Sequence, residues 1–189
     1  DGGAWRNRTQ HTSWYNEQLG TTIRGSRKDF PSVAVIVATA EALIIYDGDD
    51  PSLPMWLTLS GSPGIRFAND GYGFDIKAIT ARDGKIFTSL TQDSTSEPGV
   101  YGGFIIFDYV ADTSEKYAGA GSGSNRGVRP GVRKVHWGGY LALVENDNKL
   151  VNGWTNDIAV TVLDGAPIDP KTNLPVPTIA VGTEGGVSV

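Results

Sequence analysis

A strand-and-turn phrase recurs along this chain and constrains its fold more than any other feature. It reads VAVIVATAEALIIYDGDD over Val33–Asp50 and IKAITARDGKIFTSL over Ile76–Leu90. It returns as IAVTVLDG over Ile158–Gly165, followed by PTIAVGTEGGVSV over Pro177–Val189. Each copy is a short apolar, β-branched run, a tight polar or glycine turn, and a second such run. The copies begin 43 and then 82 residues apart, the second interval being close to two steps of the first. A period of roughly 40–50 residues with several strands per unit is the pattern of propeller blades. The expected fold is therefore all-β: propeller-like blades of antiparallel strands forming a partial array, with an irregular N-terminal arm.

Four zones follow. Residues 1–32 are polar and aromatic without a sustained period, and read as an arm or cap ending at Pro31. Residues 33–117 hold two blade-like units. The first is a hairpin of Val33–Ala38 and Leu43–Tyr46 with a third strand, Met55–Ser60, that ends at the Gly61–Gly64 turn. The second is Ile76–Ala81, the Asp83-Gly84 turn, Lys85–Leu90, a long loop, and Phe104–Val110. Asp-Gly between two alternating β runs is the strongest short-range hairpin signal in a sequence. Residues 118–156 break the rhythm: AGAGSGSNRG (Ala118–Gly127) reads as an exposed flexible loop, and Val135–Val144 as a strand pair. Residues 157–189 form an incomplete blade whose Asp164–Pro177 loop is stiffened by Pro167, Pro170, Pro175 and Pro177. The strand signal running to Val189 calls for a partner strand from further chain or a neighbour, since an open apolar edge invites association.

Composition supports short strands and tight turns: 25 glycines and 10 prolines in 189 residues, with no long helical period. No segment approaches the roughly 20 apolar residues of a transmembrane helix, so membrane insertion is not expected. With no cysteine there are no disulfides and no thiolate metal sites. The net charge of −5 argues against nucleic acid as a partner of the whole chain. Basic residues cluster in two places, Arg6, Arg8, Arg24, Arg27 and Lys28 in the arm, and Arg126, Arg129, Arg133 and Lys134. These read either as solvated arginines or as charges that steer assembly.

Catalytic motifs are scarce. His11 and His136 lie in unrelated contexts, one a loop-ordering residue and the other a packing residue beside Trp137. The Gly119–Gly123 stretch carries the letters of a nucleophile elbow without the strand and helix that give the motif its mechanics. Asp47, Asp49 and Asp50 are the one cluster with metal-ligand chemistry and could offer hard oxygens to Ca²⁺. They lack an EF-hand frame, and a turn in which Asp carboxylates cap the local backbone is the preferred reading. No cofactor is otherwise expected. Among the aromatics, Trp5, Trp14, Tyr15, Tyr101 and Trp154 are the interface or binding candidates. Such rings serve subunit packing, or stack against sugars in a glycan site.

Several phrases resemble a family of virion proteins of tailed bacteriophages of marine bacteria, the cyanophage type above all. They are DGGAWRNRTQHTSWYNE (Asp1–Glu17), GSRKDFPSVAVIVA (Gly25–Ala38), IYDGDDPSLPMW (Ile45–Trp56) and Asp157–Val189. The resemblance is to large tail-associated or fibre-like proteins with propeller-type repeats, and it brings no catalytic residue with it. It implies a non-enzymatic structural component of the virion, assembled in the host cytoplasm. Its partners would be other virion proteins in an oligomer, joined through β edges and aromatic anchors, with the arm lying across an adjacent subunit. The alternative is a receptor- or glycan-binding module that meets a host surface glycan through the loops Gln92–Gly103, Ala118–Gly131 and Asp164–Pro177. A propeller-fold glycan hydrolase would require paired carboxylates in a cleft, and no Ser-x-Asp-x-Gly-x-x-Trp-like box is present.

Overall fold

A computed structural model describes residues 8–39, 42–60, 73–93, 102–118, 126–132 and 150–189. Every regular element among these is a β-strand, and all pairings are antiparallel. The first sheet is β1 (Ala34–Ala38), β2 (Ala42–Asp47) and β3 (Met55–Ser60), in that order. The middle sheet is built from β4 (Gly73–Asp75), β5 (Ile79–Arg82), β6 (Lys85–Asp93), β7 (Gly103–Asp108), β8 (Thr113–Ala118) and β9 (Arg126–Pro130). Its order is β6-β7-β8-β9, with β4 and β5 both pairing with β6. The last sheet is β10 (Thr155–Thr161), β11 (Thr178–Thr183) and β12 (Gly186–Ser188). Each copy of the repeated phrase thus seeds one sheet.

The hairpin between β5 and β6 follows from Asp83-Gly84. Both residues take positive φ, 50° and 75°, and Arg82 faces Lys85 in register. Two consecutive left-handed residues match the twist of the flanking strands.

Strand β7 organises the molecule. Along a strand, side chains alternate between faces. Ile105 and Phe107 enter a core with Leu43, Ile45, Leu57 and Leu59 of the first sheet. Phe104 and Ile106 enter a second core with Ile158 and Val181 of the last sheet. All six β7 residues are buried. Its near-continuous apolar run, GFIIFD, is what a strand covered on both faces requires. The three sheets stack face to face like blades, and among the described residues they do not close a ring.

The arm packs on its own chain. Trp14 is fully buried and its Nε1–H donates to the Tyr109 carbonyl at 2.8 Å. Its ring meets Phe30, Trp56 and Tyr109 edge-on at centroid distances of 6.3, 5.4 and 5.9 Å. Ser13 donates from N and Oγ to Asp112 in the β7–β8 turn, at 2.7 and 2.9 Å. Further along, Gly25 N donates to Trp56 O, and Thr58 N to Ile23 O, so the arm covers the outer edge of β3. Arg24 is buried with its guanidinium 4.6 Å above the Trp56 ring, and donates to the carbonyls of Trp56, Arg27 and Lys28. Arg8 reaches the last sheet's long loop, donating to Thr172 O at 3.3 Å. From Arg8 onward the arm is a strap that contacts the first sheet, the β7–β8 turn and the last sheet's long loop.

The middle zone also differs from expectation. Arg126–Pro130, read as loop and basic knot, forms β9 and pairs with β8. Strand β8, TSEKYA, escapes a hydrophobic reading because only part of it faces a core. The expected strand pair at 135–144 lies outside the described residues.

Trp14→Ala should lower stability by about 3–5 kcal/mol, the cost of emptying a large aromatic site, read as a lower denaturant midpoint. A Cβ at Gly25 would sit 1.9 Å from the Met55 carbonyl oxygen. Gly25→Ala should therefore cost roughly 1–3 kcal/mol by forcing the arm off β3.

Candidate functional site

The acidic turn after β2 is an ion-pair latch. Arg27 Nη1 bonds both Asp47 oxygens at 2.6 and 2.7 Å and lies 2.8 Å from Asp49 Oδ2. Asp49 also accepts from the backbone N–H of Ser32 and Val33, and Asp50 accepts from the Ser52 N–H and hydroxyl. A guanidinium supplies the positive charge a cation would bring, and backbone donors take the remaining oxygens. The three residues do not converge on a metal-sized space, and among the described residues no group of three His, Asp or Glu does. The donors present make a turn and a strap anchor.

Of the aromatic candidates, Trp14 lies in the chain's own core. Tyr15 is half-buried beside it, with the Lys28 ammonium 4.4 Å above its ring. Trp154 is half-buried just before β10, its N–H bonded to Asn152 Oδ1 at 2.7 Å and its carbonyl accepting from Glu184 N. The structure brings Trp14 and Tyr15 together, 5.8 Å apart, and leaves Trp154 in another sheet. Trp5 and Tyr101 lie outside the described residues. Of the loops offered as ligand contacts, Asp164–Pro177 is internally tied by the Ile168–Pro175 bridge and bonds from Asp169.

A cleft of about 230 Å³ opens between the middle sheet and the Val176–Pro177 wall. Its floor is Phe87 and Ile106, and its polar rim is Lys85, Asp108, Thr113, Glu115 and Tyr117. Registry explains the rim: Lys85, Asp108 and Thr113 form one cross-strand row, and Ile106 and Glu115 belong to the next. Lys85 Nζ meets Asp108 Oδ2 at 2.6 Å, and the other Asp108 oxygen caps Val110 and Ala111. The Tyr117 hydroxyl donates to Glu115 at 2.9 Å while its ring stacks on Phe104 at 4.6 Å. These groups satisfy one another, and the volume falls below the roughly 300–1,000 Å³ of small-molecule pockets. No sequence motif marks this cleft; it exists only through strand register.

The other candidate is a surface that sequence reasoning did not single out. Ala34 and Ile36 face the core, so Val35 and Val37 point outward, each 40% exposed. Opposite them in register stand Tyr46 and Ile44, both half-buried, followed on β3 by Met55 and Thr58. The outer face of the first sheet is thus apolar on β1 and β2, continues with Met55 and Thr58 on β3, and carries no charge among these residues. The outer side of β1 has no strand partner among the described residues. The alternation VAVIV, apolar at both parities, is the available signal: a strand with one wet face normally alternates with polar residues.

No family model, curated protein or solved structure matches this chain.

Two titrations probe the arrangement. Hydrogen bonding from the Ser32 N–H, then from Arg27 and Val33, holds Asp49 below the ordinary aspartate range. A depressed carboxylate contributes stability above its unfolded pKa and loses it as pH falls through the folded value. Asp49→Asn should therefore narrow the loss of melting temperature below about pH 4, measured by thermal unfolding across pH. Burial pushes Lys116, on β8, down to about 7. Its unfolded form holds a proton that its folded form sheds, so stability should rise between pH 7 and about 10.4. Lys116→Met should remove that rise.

Proposed function

We propose that this chain is a non-enzymatic structural component of an assembled particle, a bacteriophage tail or fibre. It joins its neighbours through its open β1 edge and the outer face of the first sheet. The carrying observation is that face: Val35 and Val37 exposed beside Ile44, Tyr46 and Met55, with no charge among them. Contiguous exposed apolar surface on a folded chain marks an interaction site or an aggregation hazard. Natural edge strands that must stay alone carry lysine, proline or a bulge, and β1, AVIVA, has none of these.

The particle setting rests on the resemblance of the phrases at Asp1–Glu17, Gly25–Ala38, Ile45–Trp56 and Asp157–Val189 to phage virion proteins. The non-enzymatic reading draws support from the internal pairing of Lys85 with Asp108 and of Glu115 with Tyr117. The glycan-binding alternative has less behind it. Trp14 lies within the core, and the cleft is small with its rim groups already bonded.

Sedimentation equilibrium tests the reading. The chain should self-associate as its concentration rises, and Val37→Glu should leave it monomeric with an unchanged melting temperature. A wild-type chain that stays monomeric to about 1 mM, where even a millimolar contact is half formed, would overturn it, as would specific retention on a glycan array.

A further inference from the structure

Resting on that assembly reading, we infer that the open edge of β1 pairs with the β1 edge of a second copy. The two strands run antiparallel about a twofold axis at Ile36. Backbone polarity decides which groups the edge offers. Gly48 N donates to Val33 O, and Thr39 N donates to Ala42 O. In the same register Val35 faces Tyr46 and Val37 faces Ile44. Hydrogen-bonded pairs alternate along an antiparallel ladder, so residues 33, 35, 37 and 39 direct their backbone groups to β2. The N–H and C=O of Ala34, Ile36 and Ala38 therefore point to the other side, where no described strand stands. Such a row is a template for another strand. Elsewhere the edges of β3, β9 and β12 are blunted. The arm covers β3, β9 carries Arg126, Arg129 and Pro130, and β12 is three residues long.

The sequence of β1 says which strand fits. AVIVA reads the same in both directions. Antiparallel pairing centred on Ile36 sets Ile36 against Ile36, and Ala34 against Ala38 of the second copy. These are the residues whose backbone groups point outward, so each pair exchanges both bonds. Between them Val35 meets Val37 of the second copy on the outer face, a β-branched pair at the close spacing of non-bonded positions. No charge lies on β1, so this register brings no like-charge repulsion. Any strand could take up the backbone bonds. The palindrome is what lets a second copy fit side chain for side chain at both ends.

The contact is isologous and closes on itself, so growth stops at a dimer. Two three-stranded sheets become one continuous sheet. A five-residue edge is far smaller than the interface of about 800 Å² per partner that stable complexes bury. Association is therefore expected at high concentration, or within an assembly that holds the chains together.

Sedimentation velocity of the full chain up to about 1 mM tests this, since even a millimolar contact is then half formed. Wild type should pass from monomer to dimer and stop there. A mass that keeps growing overturns the twofold contact. Ala38→Pro removes an outward N–H at an exposed edge position, where proline is tolerated. Ala34→Pro is the substitute if folding suffers. The proline variant should stay monomeric. If it associates like wild type, the edge inference fails and the outer face alone carries the assembly reading. A wild type that remains monomeric throughout overturns both.

Cross-linking reads the register, in a chain with no native cysteine. Val35 and Val37 of the second copy would stand about 4.5 Å apart at Cα, within disulfide reach. Each would lie about 7–8 Å from its own equivalent. With oxidised glutathione as oxidant, a mixture of Val35→Cys and Val37→Cys chains should cross-link, and either alone should not. A mixture that fails to cross-link, or a single variant that links as readily, overturns the register.

Discussion

The indole of Trp14 is the contact on which the rest of this architecture depends. Its N–H bonds to the Tyr109 carbonyl at the end of β7, while its ring is wedged edge-on among Phe30, Trp56 and Tyr109. Those three rings come from the end of the arm, from β3 and from the β7–β8 turn. One side chain therefore joins the arm, the first sheet and the middle sheet. Buried edge-to-face aromatic pairs contribute about 0.5–1.5 kcal/mol each beyond their area. Around this plug the arm is tied by Ser13 to Asp112, Arg24 to the Trp56 carbonyl, and Arg27 to Asp47. A segment with no regular structure is thereby fixed at several points.

The second constraint is the two-sided burial of β7. A small sheet is stable only when its hydrophobic face is buried against something. Here the middle sheet offers Ile105 and Phe107 to one neighbour and Phe104 and Ile106 to the other, so three such sheets share two cores. The same logic has a cost at the ends of the stack. The outermost faces have no further sheet among the described residues, and on the first sheet that face retains valine, isoleucine and tyrosine. The apolar end face is thus a consequence of stacking, and it is what the proposed assembly would use.

Much of the strand layout is legible in the residues alone. The Asp83-Gly84 turn, the Val33–Tyr46 hairpin and Met55–Ser60 are local signals, set by turn chemistry and β-branched runs. Strands β8 and β9 escape such a reading because their pairing is decided by a neighbour, β7, and not by their own hydrophobicity. Trp14 and the aspartates of the 47–50 turn show a deeper limit. Their residue types suggest an interface anchor and a cation site, yet tertiary contacts give them partners within the chain: three aromatic rings for Trp14, and Arg27 for Asp47 and Asp49. The cleft rim is illegible for the same reason, since Lys85, Asp108 and Glu115 meet only through strand register.

Hydrogen exchange of the Trp14 indole N–H, followed by NMR beside the amides of Ile105 and Phe107, tests the central claim most directly. If the arm is a structural strap, the indole proton should exchange only through global unfolding, with the same protection as the β7 amides. Indole exchange that is orders of magnitude faster, with β7 still protected, would mean that the arm frays independently of the sheets and would contradict the account.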